Sequence, residues 1–260
     1  MPNINIDGQR FDYADTGSGL AVLFLSGLCG SKDWFRYQSA GLADRFRVLA
    51  TSLRSAGRAV YTLDLLVGDV VGLLDGLRIH HAAIAGHSLG GMVALSFALA
   101  YPDRCLALVL SSTAPSYASV PADQLISDLM LGEPRPDGLW ARLKQKLLKS
   151  DLPKEDSSDP LDYLARHNGG VDRLTLQARL KLMRETDLTE RLGEVGVPVL
   201  VIAGSREQPY ILAGSQALDQ RLADSTVEII EDADQFHFFT RHDQFNEAVA
   251  DFLLHKVSRP

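Results

Sequence analysis

The sequence predicts an α/β fold in which a doubly wound, mostly parallel sheet is interrupted by one helical insertion. Apolar runs of about five residues recur along the chain without alternating polar residues, a pattern typical of strands buried on both faces. Helix-like segments separate these runs, and over residues 115–193 only helix-like segments occur. We therefore predict a core formed by residues 1–114 and 194–260, with residues 115–193 as an inserted helical cap.

The individual elements follow from local patterns. An alternating stretch around Asp7-Gly8 predicts an N-terminal β-hairpin, and Thr62 is suited to cap a helix whose apolar residues share one face. The helix after the strand over residues 81–85 ends at Tyr101-Pro102, and the last helix of the chain is expected to bury Phe245 and Phe252. Besides the hairpin over residues 4–13, strands are predicted over residues 21–25, 46–50, 81–85, 105–110, 198–203 and 227–230.

Composition and charge exclude several classes of function. The 260 residues are 46% hydrophobic and carry a formal net charge of −7, which argues against nucleic acid and anionic membranes as partners. The first residues lack a signal-peptide pattern, and no apolar run approaches the roughly 20 residues of a membrane span. The two cysteines, Cys29 and Cys105, do not indicate a disulfide framework. We expect a cytoplasmic protein.

Ser88 is the strongest candidate for chemistry. It lies in Gly86-His87-Ser88-Leu89-Gly90, a G-x-S-x-G motif preceded by a strand-like run and followed by a helix-like run. This context is what a nucleophile elbow requires, because small glycines let the strand and helix approach closely and force the serine into a strained, exposed turn. The N-terminus of the following helix then favours a developing oxyanion.

A serine nucleophile needs a base, and the base needs an orienting acid. His237 and His242 both follow the last predicted strand, at the sheet edge that also carries the elbow. His237 comes first and is flanked by two phenylalanines, whereas His242 is expected to begin the C-terminal helix. Glu207 follows the strand over residues 198–203 and is the predicted acid.

Two aspartates, Asp232 and Asp234, remain alternatives for the acid, although they lie close before the histidine in the chain. The strand over residues 105–110 ends in Ser111-Ser112-Thr113 and offers no acid. No Cys/His or Asp/Glu spacing indicates a metal site, and no glycine-rich loop indicates a nucleotide, so no cofactor is expected.

The chain resembles the α/β-hydrolase superfamily, and within it the 3-oxoadipate enol-lactonase and small carboxylesterase subgroup. The resemblance covers nearly the whole length and is carried by the segments over residues 42–48, 86–92, 106–110, 187–192, 197–204 and 245–247. It implies a sheet of the α/β-hydrolase type with a cap, and it puts Ser88, His237 and Glu207 in the nucleophile, base and acid positions. It also implies an oxyanion hole formed by the backbone N–H groups of Leu28 and Leu89.

Four departures from the family pattern make the substrate uncertain. Ser26-Gly27 replaces the usual His-Gly, Ser52 to Ala59 departs from the D-x-R-G-x-G-x-S stretch, Glu207 replaces an aspartate, and Phe236 replaces a glycine. The loop without His-Gly also resembles that of cofactor-free 2,4-dioxygenases of quinolones with the same fold. Those enzymes carry an acid where this chain has Ser111 or Ser112.

Taken together, the residues predict a serine hydrolase of small, largely apolar esters or lactones. The predicted substrate pocket contains four aromatic residues, Trp34, Trp140, Phe236 and Phe238, to which the cap adds apolar residues such as Leu176 and Met183. The expected partner is a small-molecule acyl substrate. The alternatives are the dioxygenase chemistry named above and a non-catalytic ligand-binding or receptor protein on the same fold.

Overall fold

The computed structural model describes residues 2–57, 60–121 and 160–257. Within them, eight strands form one sheet in the order β1-β2-β4-β3-β5-β6-β7-β8. The strands β1 and β2 form the predicted antiparallel hairpin, β2 pairs antiparallel with β4, and all other pairs are parallel. The bounds are β1 Asn3–Ile6, β2 Gln9–Thr16, β3 Ala21–Leu25, β4 Arg47–Thr51, β5 Ala82–His87, β6 Cys105–Ser111, β7 Val199–Gly204 and β8 Ser225–Ile230.

Helices cover both faces of this sheet, as expected for a doubly wound fold. Numbered along the described residues, they are α1 Arg36–Gly41, α2 Leu63–Gly76, α3 Leu89–Ala100, α4 Pro160–Arg166, α5 Arg173–Glu185, α6 Pro209–Arg221, α7 His237–Thr240 and α8 His242–Lys256. Short 3₁₀ helices span Lys32–Phe35, Pro102–Arg104 and Thr189–Glu194. Thr62 caps α2 by accepting a hydrogen bond from the Leu65 N–H at 3.2 Å.

The continuous apolar runs have a direct structural reason. In β3, Leu23 and Leu25 are buried in a core cluster with α2, α3 and α6, whereas Val22 and Phe24 are buried in a second cluster with α1 and α8. Successive side chains of a strand point to opposite faces, so a strand covered on both sides needs apolar residues at every position. The sheet therefore separates two cores, and its strand ends are the places left for polar chemistry.

Part of the predicted cap lies within the described residues. It contains the helices α4 and α5, and a single bridge between Ser116 and Asp187 joins the two ends of the insertion. The division into core and cap over residues 115–193 stays a prediction, because residues 122–159 lie outside the described part of the chain. In the described residues, no helix is long and apolar enough to cross a membrane.

The turn between β5 and α3 depends on two glycines. A Cβ atom on Gly86 would lie 2.2 Å from the Gly90 carbonyl oxygen, and a Cβ atom on Gly90 would lie 2.3 Å from the Leu25 carbonyl oxygen. Both obstacles are backbone atoms, which cannot rotate away. The strand, the helix and β3 therefore meet at a distance that only glycine allows.

We expect Gly86→Ala to lower the free energy of unfolding by about 3 kcal/mol, because the added methyl group overpacks a backbone contact. The matched control is Gly68→Ala, in the exposed face of α2, where an added Cβ atom meets nothing within 4 Å. That variant should gain about 0.5–1 kcal/mol from helix propensity. Urea unfolding of both variants measures the difference, and equal stabilities would contradict the close approach.

Candidate active site

Ser88 occupies the strained turn that the motif predicts. Its backbone has φ 54° and ψ −119°, a conformation unusual for a residue other than glycine, and it immediately precedes α3. The Ser88 N–H donates to the Ser111 carbonyl oxygen at 2.9 Å, which ties the turn to the end of β6. The serine borders a small cleft of about 20 Å³. The other residues lining the cleft include Gly27, Leu28, Cys29, Trp34, His87 and Phe236.

The two residues predicted to form the oxyanion hole, Leu28 and Leu89, lie beside Ser88. Leu28 lines the same cleft, and Leu89 is the first residue of α3. Neither N–H group has a hydrogen-bond acceptor within the described residues. Free amide donors next to a strained serine, one of them at a helix N-terminus, are the donors that an acyl-transfer oxyanion needs.

The segment over residues 26–30, which we call the oxyanion loop, is held in a way that the sequence did not reveal. Ser26, which replaces the usual histidine, donates its hydroxyl to the Gly30 carbonyl oxygen at 3.1 Å. The Gly169 N–H donates to the Cys29 carbonyl oxygen at 3.0 Å, and the Arg179 guanidinium donates to the Leu28 carbonyl oxygen. Two of these three bonds come from the predicted cap, so the cap fixes the loop that carries the Leu28 amide.

Arg179 is the centre of this attachment. Its side chain is fully buried and also donates to the Leu53 carbonyl oxygen at 2.8 Å and to the Tyr61 hydroxyl at 3.2 Å. The acceptors of the Arg179 guanidinium are therefore neutral carbonyl and hydroxyl oxygens rather than a carboxylate. The electropositive guanidinium also opposes the effect of burial on Cys29, although burial dominates and raises the pKa of that thiol to about 11.

We expect Arg179→Met to lower the free energy of unfolding by about 3 kcal/mol, because several buried carbonyl oxygens lose their donors. The turnover number should also fall at least about tenfold, since the Leu28 amide is no longer held in place. Lys181→Met is the matched control on α5, because Lys181 is exposed and pairs loosely with Glu185 at 3.9 Å. Equal kcat values in the two variants would show that the oxyanion loop does not depend on Arg179.

Glu207 and His237 are brought together, as the sequence predicts. Glu207 follows β7 and His237 begins α7, and the His237 Nε2 and Glu207 Oε1 atoms are 3.6 Å apart. Both side chains are fully buried. The other two candidate acids are occupied elsewhere, because Asp232 pairs with Arg206 at 2.5 Å and Asp234 accepts from the Phe236 N–H at 2.9 Å.

Ser112 lies between the acid and the histidine, and sequence reasoning missed it. Its hydroxyl oxygen is 2.7 Å from Glu207 Oε1 and 2.9 Å from His237 Nε2. The adjacent Ser111 hydroxyl lies farther from Nε2, at 3.5 Å, and is 3.3 Å from His87 Nδ1. The run of hydroxyl residues Ser111-Ser112-Thr113 at the end of β6 is the sequence signal that could have indicated this contact.

Burial dominates the protonation of these groups. The pKa of Glu207 is raised to about 7, mainly by desolvation, and the charge of Asp234 adds to this rise. Hydrogen bonds from the Gly204 N–H and the Ser112 hydroxyl oppose it. Desolvation lowers the pKa of His237 to about 3, and the nearby His87 adds to that shift. At neutral pH the histidine is therefore a neutral base, and Glu207 titrates in the physiological range.

The predicted nucleophile and base, Ser88 and His237, share no direct hydrogen bond within the described residues, where His237 Nδ1 is buried without a partner. Ser111 links the two, because its carbonyl oxygen accepts from the Ser88 N–H and its hydroxyl is near His237 Nε2. Catalytic hydrogen bonds are often loose in unliganded enzymes and tighten when substrate binds.

The predicted pocket residues divide into three groups. Trp34 and Phe236 line the cleft beside Ser88, and their rings meet edge to face at 5.7 Å. Phe238 is fully buried and packs against His87 at 4.7 Å instead of lining the cleft. Trp140 lies outside the described residues, and Met183 is buried in the core cluster under α3. The apolar character of the site therefore rests on Trp34 and Phe236.

Tyr117 is a second residue that the sequence analysis did not single out. It is fully buried, and its hydroxyl has no hydrogen-bond partner within the described residues. Burial raises its pKa to about 12, a shift that Thr113, the Ala114 backbone and Ser88 oppose because they lie close to the phenol. The phenol is thus a buried polar group beside Ser88. Elsewhere in the described chain, no three His, Cys, Asp or Glu side chains converge as metal ligands.

Comparison with known proteins decides the family. A model of the Alpha/beta hydrolase family matches residues 22–248, which is most of the chain. The chain belongs to the alpha/beta hydrolase family. Family membership confirms the predicted fold class and identifies this α/β hydrolase as an enzyme of the hydrolase type, and it agrees with the elbow at Ser88.

Individual relatives of this α/β hydrolase are distant but cover most of its length. The chain is 27% identical to a putative 2-succinyl-6-hydroxy-2,4-cyclohexadiene-1-carboxylate synthase of Bacillus subtilis, over 97% of the chain and 99% of the relative. It is 26% identical to 3-oxoadipate enol-lactonase 2 of Acinetobacter baylyi, over 88% and 86% of the two chains. The crystal structure of the enol-lactonase from Burkholderia xenovorans superimposes with a TM-score of 0.77 at 24% identity, covering 97% and 100%.

Proposed function

We propose that this α/β hydrolase cleaves small, largely apolar esters or lactones through a covalent acyl-enzyme. Ser88 attacks the carbonyl carbon, His237 takes the serine proton and returns it to the leaving group, and Glu207 stabilises the imidazolium. Water then attacks the acyl-enzyme, with His237 taking its proton and passing it to Ser88 as the acid product leaves. The Leu28 and Leu89 amides stabilise the tetrahedral oxyanion. The observation that carries the proposal is the strained Ser88 at the N-terminus of α3, beside two amides without acceptors.

The substrate class is inferred from the cleft and from the relatives. The cleft beside Ser88 is small and is walled by Trp34 and Phe236, which favours compact apolar acyl groups. Relatives named as an enol-lactonase and structural neighbours named as esterases support cleavage of an ester or lactone bond. Glu207 at the acid position and the free Leu28 amide both favour acyl transfer over the dioxygenase alternative, which needs no oxyanion donors at Ser88.

The first test uses a fluorophosphonate probe, followed by mass spectrometry of the labelled peptide. We expect stoichiometric labelling of Ser88 and none in Ser88→Ala, while Ser96→Ala, a serine variant within α3, keeps the label. A wild-type protein that stays unlabelled between pH 6 and pH 9 contradicts the activated serine and favours a non-catalytic binding protein.

The second test defines the substrate. p-Nitrophenyl esters of graded chain length and a panel of aliphatic and enol lactones are compared by kcat/KM. We expect the highest values for short acyl chains or small lactone rings, because the cleft volume is limited. Oxygen uptake with quinolone substrates in the absence of ester and lactone turnover would replace the hydrolase proposal with the dioxygenase alternative.

A further inference from the structure

Ser112 stands between the acid and the base of the proposed triad. We propose that it is a positioning residue whose hydroxyl connects Glu207 to His237 Nε2 and so fixes the imidazole tautomer in which Nδ1 is the free base nitrogen. The catalytic consequence rests on the proposed function. The tautomer is a property of the resting protein and is tested without any substrate.

The Ser112 hydroxyl has a single proton to donate. It has three neighbours: Glu207 Oε1 at 2.7 Å, His237 Nε2 at 2.9 Å and the Gln235 carbonyl oxygen at 3.2 Å. Above its pKa of about 7, Glu207 is an ionised carboxylate and, at the shortest distance, the strongest acceptor, so the hydroxyl donates to it. The Ser112 oxygen is then left with lone pairs only, and Nε2 must be the nitrogen that carries the ring proton.

Glu207 is held too far from His237 Nε2 for a direct hydrogen bond. Its Oε1 atom also accepts from the Gly204 N–H at 2.8 Å, and it remains 3.6 Å from His237 Nε2. That separation exceeds a hydrogen bond, whereas both distances through Ser112 are within the normal range. The acid therefore acts on the base through the intervening hydroxyl.

The backbone of Ser112 is in an unusual conformation. The residue has φ 48°, a left-handed conformation that glycine adopts more readily, and its N–H donates to the Ile202 carbonyl oxygen at 3.0 Å. A serine kept in this conformation directs its hydroxyl into the gap between β7 and α7. Strain of this kind is concentrated where a side chain must be placed accurately.

The free ring nitrogen of His237 is Nδ1. His237 Nδ1 is buried and has no hydrogen-bond partner within the described residues. A neutral imidazole with its proton on Nε2 keeps the Nδ1 lone pair available. When the Ser88 proton moves to Nδ1, the resulting imidazolium still donates from Nε2 to Ser112, and Ser112 still donates to Glu207. The proton transfer therefore needs no rearrangement of the hydroxyl.

The test is ¹⁵N NMR of histidine-labelled protein at pH 8, with the His237 signals assigned by their loss in His237→Gln. We expect the wild type to have a protonated Nε2 and an unprotonated Nδ1. Ser112→Gly should lose this preference, and glycine accommodates φ 48° without strain. Ser215→Ala, which removes a buried hydroxyl on α6 that has no hydrogen-bond partner within the described residues, is the matched control and should keep the Nε2–H tautomer.

Activity gives the second readout. We expect kcat of Ser112→Gly to fall at least about tenfold while KM changes less than about threefold, because only the base is disturbed. A wild-type His237 protonated on Nδ1, or a Ser112→Gly variant with unchanged tautomer and kcat, overturns the proposal. If the tautomer shifts in Ser112→Gly while Ser88 resists the fluorophosphonate probe, the positioning role stands and the hydrolase function fails.

Discussion

Ser88→Ala is expected to lower kcat for ester or lactone substrates by about 10⁴- to 10⁶-fold, with little change in KM. Without the hydroxyl no acyl-enzyme forms, so His237 and Glu207 lose the group on which they act. The residual rate comes from the Leu28 and Leu89 amides, which still stabilise a tetrahedral oxyanion formed by attack of water. Steady-state kinetics and the absence of a burst of the first product measure this loss.

A stability measurement accompanies this prediction. Ser88 has φ 54°, and alanine adopts this conformation no more readily than serine, so the free energy of unfolding should change by less than about 1 kcal/mol. A folded Ser88→Ala protein that retains wild-type kcat shows that another residue is the nucleophile. The nearby Cys29 is not expected to replace it, because burial raises the pKa of its thiol to about 11.

Glu207→Gln is expected to lower kcat by about 10²- to 10⁴-fold, because the buried imidazolium loses its counter-charge. The glutamine amide can also donate to the Ser112 oxygen, which reverses the hydrogen bond to His237 Nε2. Asp234→Asn is the matched control, since Asp234 is a buried carboxylate in the same region but bonds to the Phe236 N–H. A larger kcat loss in Asp234→Asn than in Glu207→Gln would reassign the acid.

The same variant should be more stable than the wild type in mildly basic solution. The pKa of Glu207 rises from 4.5 in the unfolded chain to about 7 in the folded protein, so its contribution to stability is full below pH 4.5 and is lost as pH rises through 7. Glutamine does not titrate. Between pH 5 and pH 8 the stability of Glu207→Gln relative to the wild type should therefore rise by up to about 3 kcal/mol.

Urea unfolding at the two pH values measures this change. The titratable groups around Glu207 are Asp234, His237 and Tyr117, and the histidine remains neutral over this range because its pKa is about 3. Asp234→Asn, measured in parallel, reports how much of the pH dependence Asp234 contributes directly. A stability difference that does not change between pH 5 and pH 8 would mean that Glu207 is not destabilised by burial.

The fold was predictable because the central strands bury both faces. The run at Ala21–Leu25 contains no polar residue, and the structure explains this by placing its alternate side chains in two separate cores. The elbow was predictable because Gly86 and Gly90 are required by backbone contacts that involve few residues. The proximity of His237 and Glu207 was predictable because parallel strands end at one edge of the sheet.

The rest of the site depends on contacts between residues far apart in the chain. Nothing near Arg179 in the sequence indicates that its guanidinium reaches Leu28, about 150 residues earlier, because an arginine on a helix is usually solvated. Ser112 was read as a missing acid, since only the three-dimensional structure places its hydroxyl between Glu207 and His237. Phe238 was assigned to the pocket from its position beside His237, but its side chain points into the core.

The attachment of Arg179 and Gly169 to the oxyanion loop couples the position of α5 to the alignment of the Leu28 amide. Any displacement of α5 withdraws the guanidinium from the Leu28 carbonyl oxygen and releases the peptide next to the Leu28 amide. Because such coupling is reciprocal, a substrate that engages the Leu28 amide should also stabilise α5. Substitutions within α5 should therefore change kcat even where they touch no residue of the cleft.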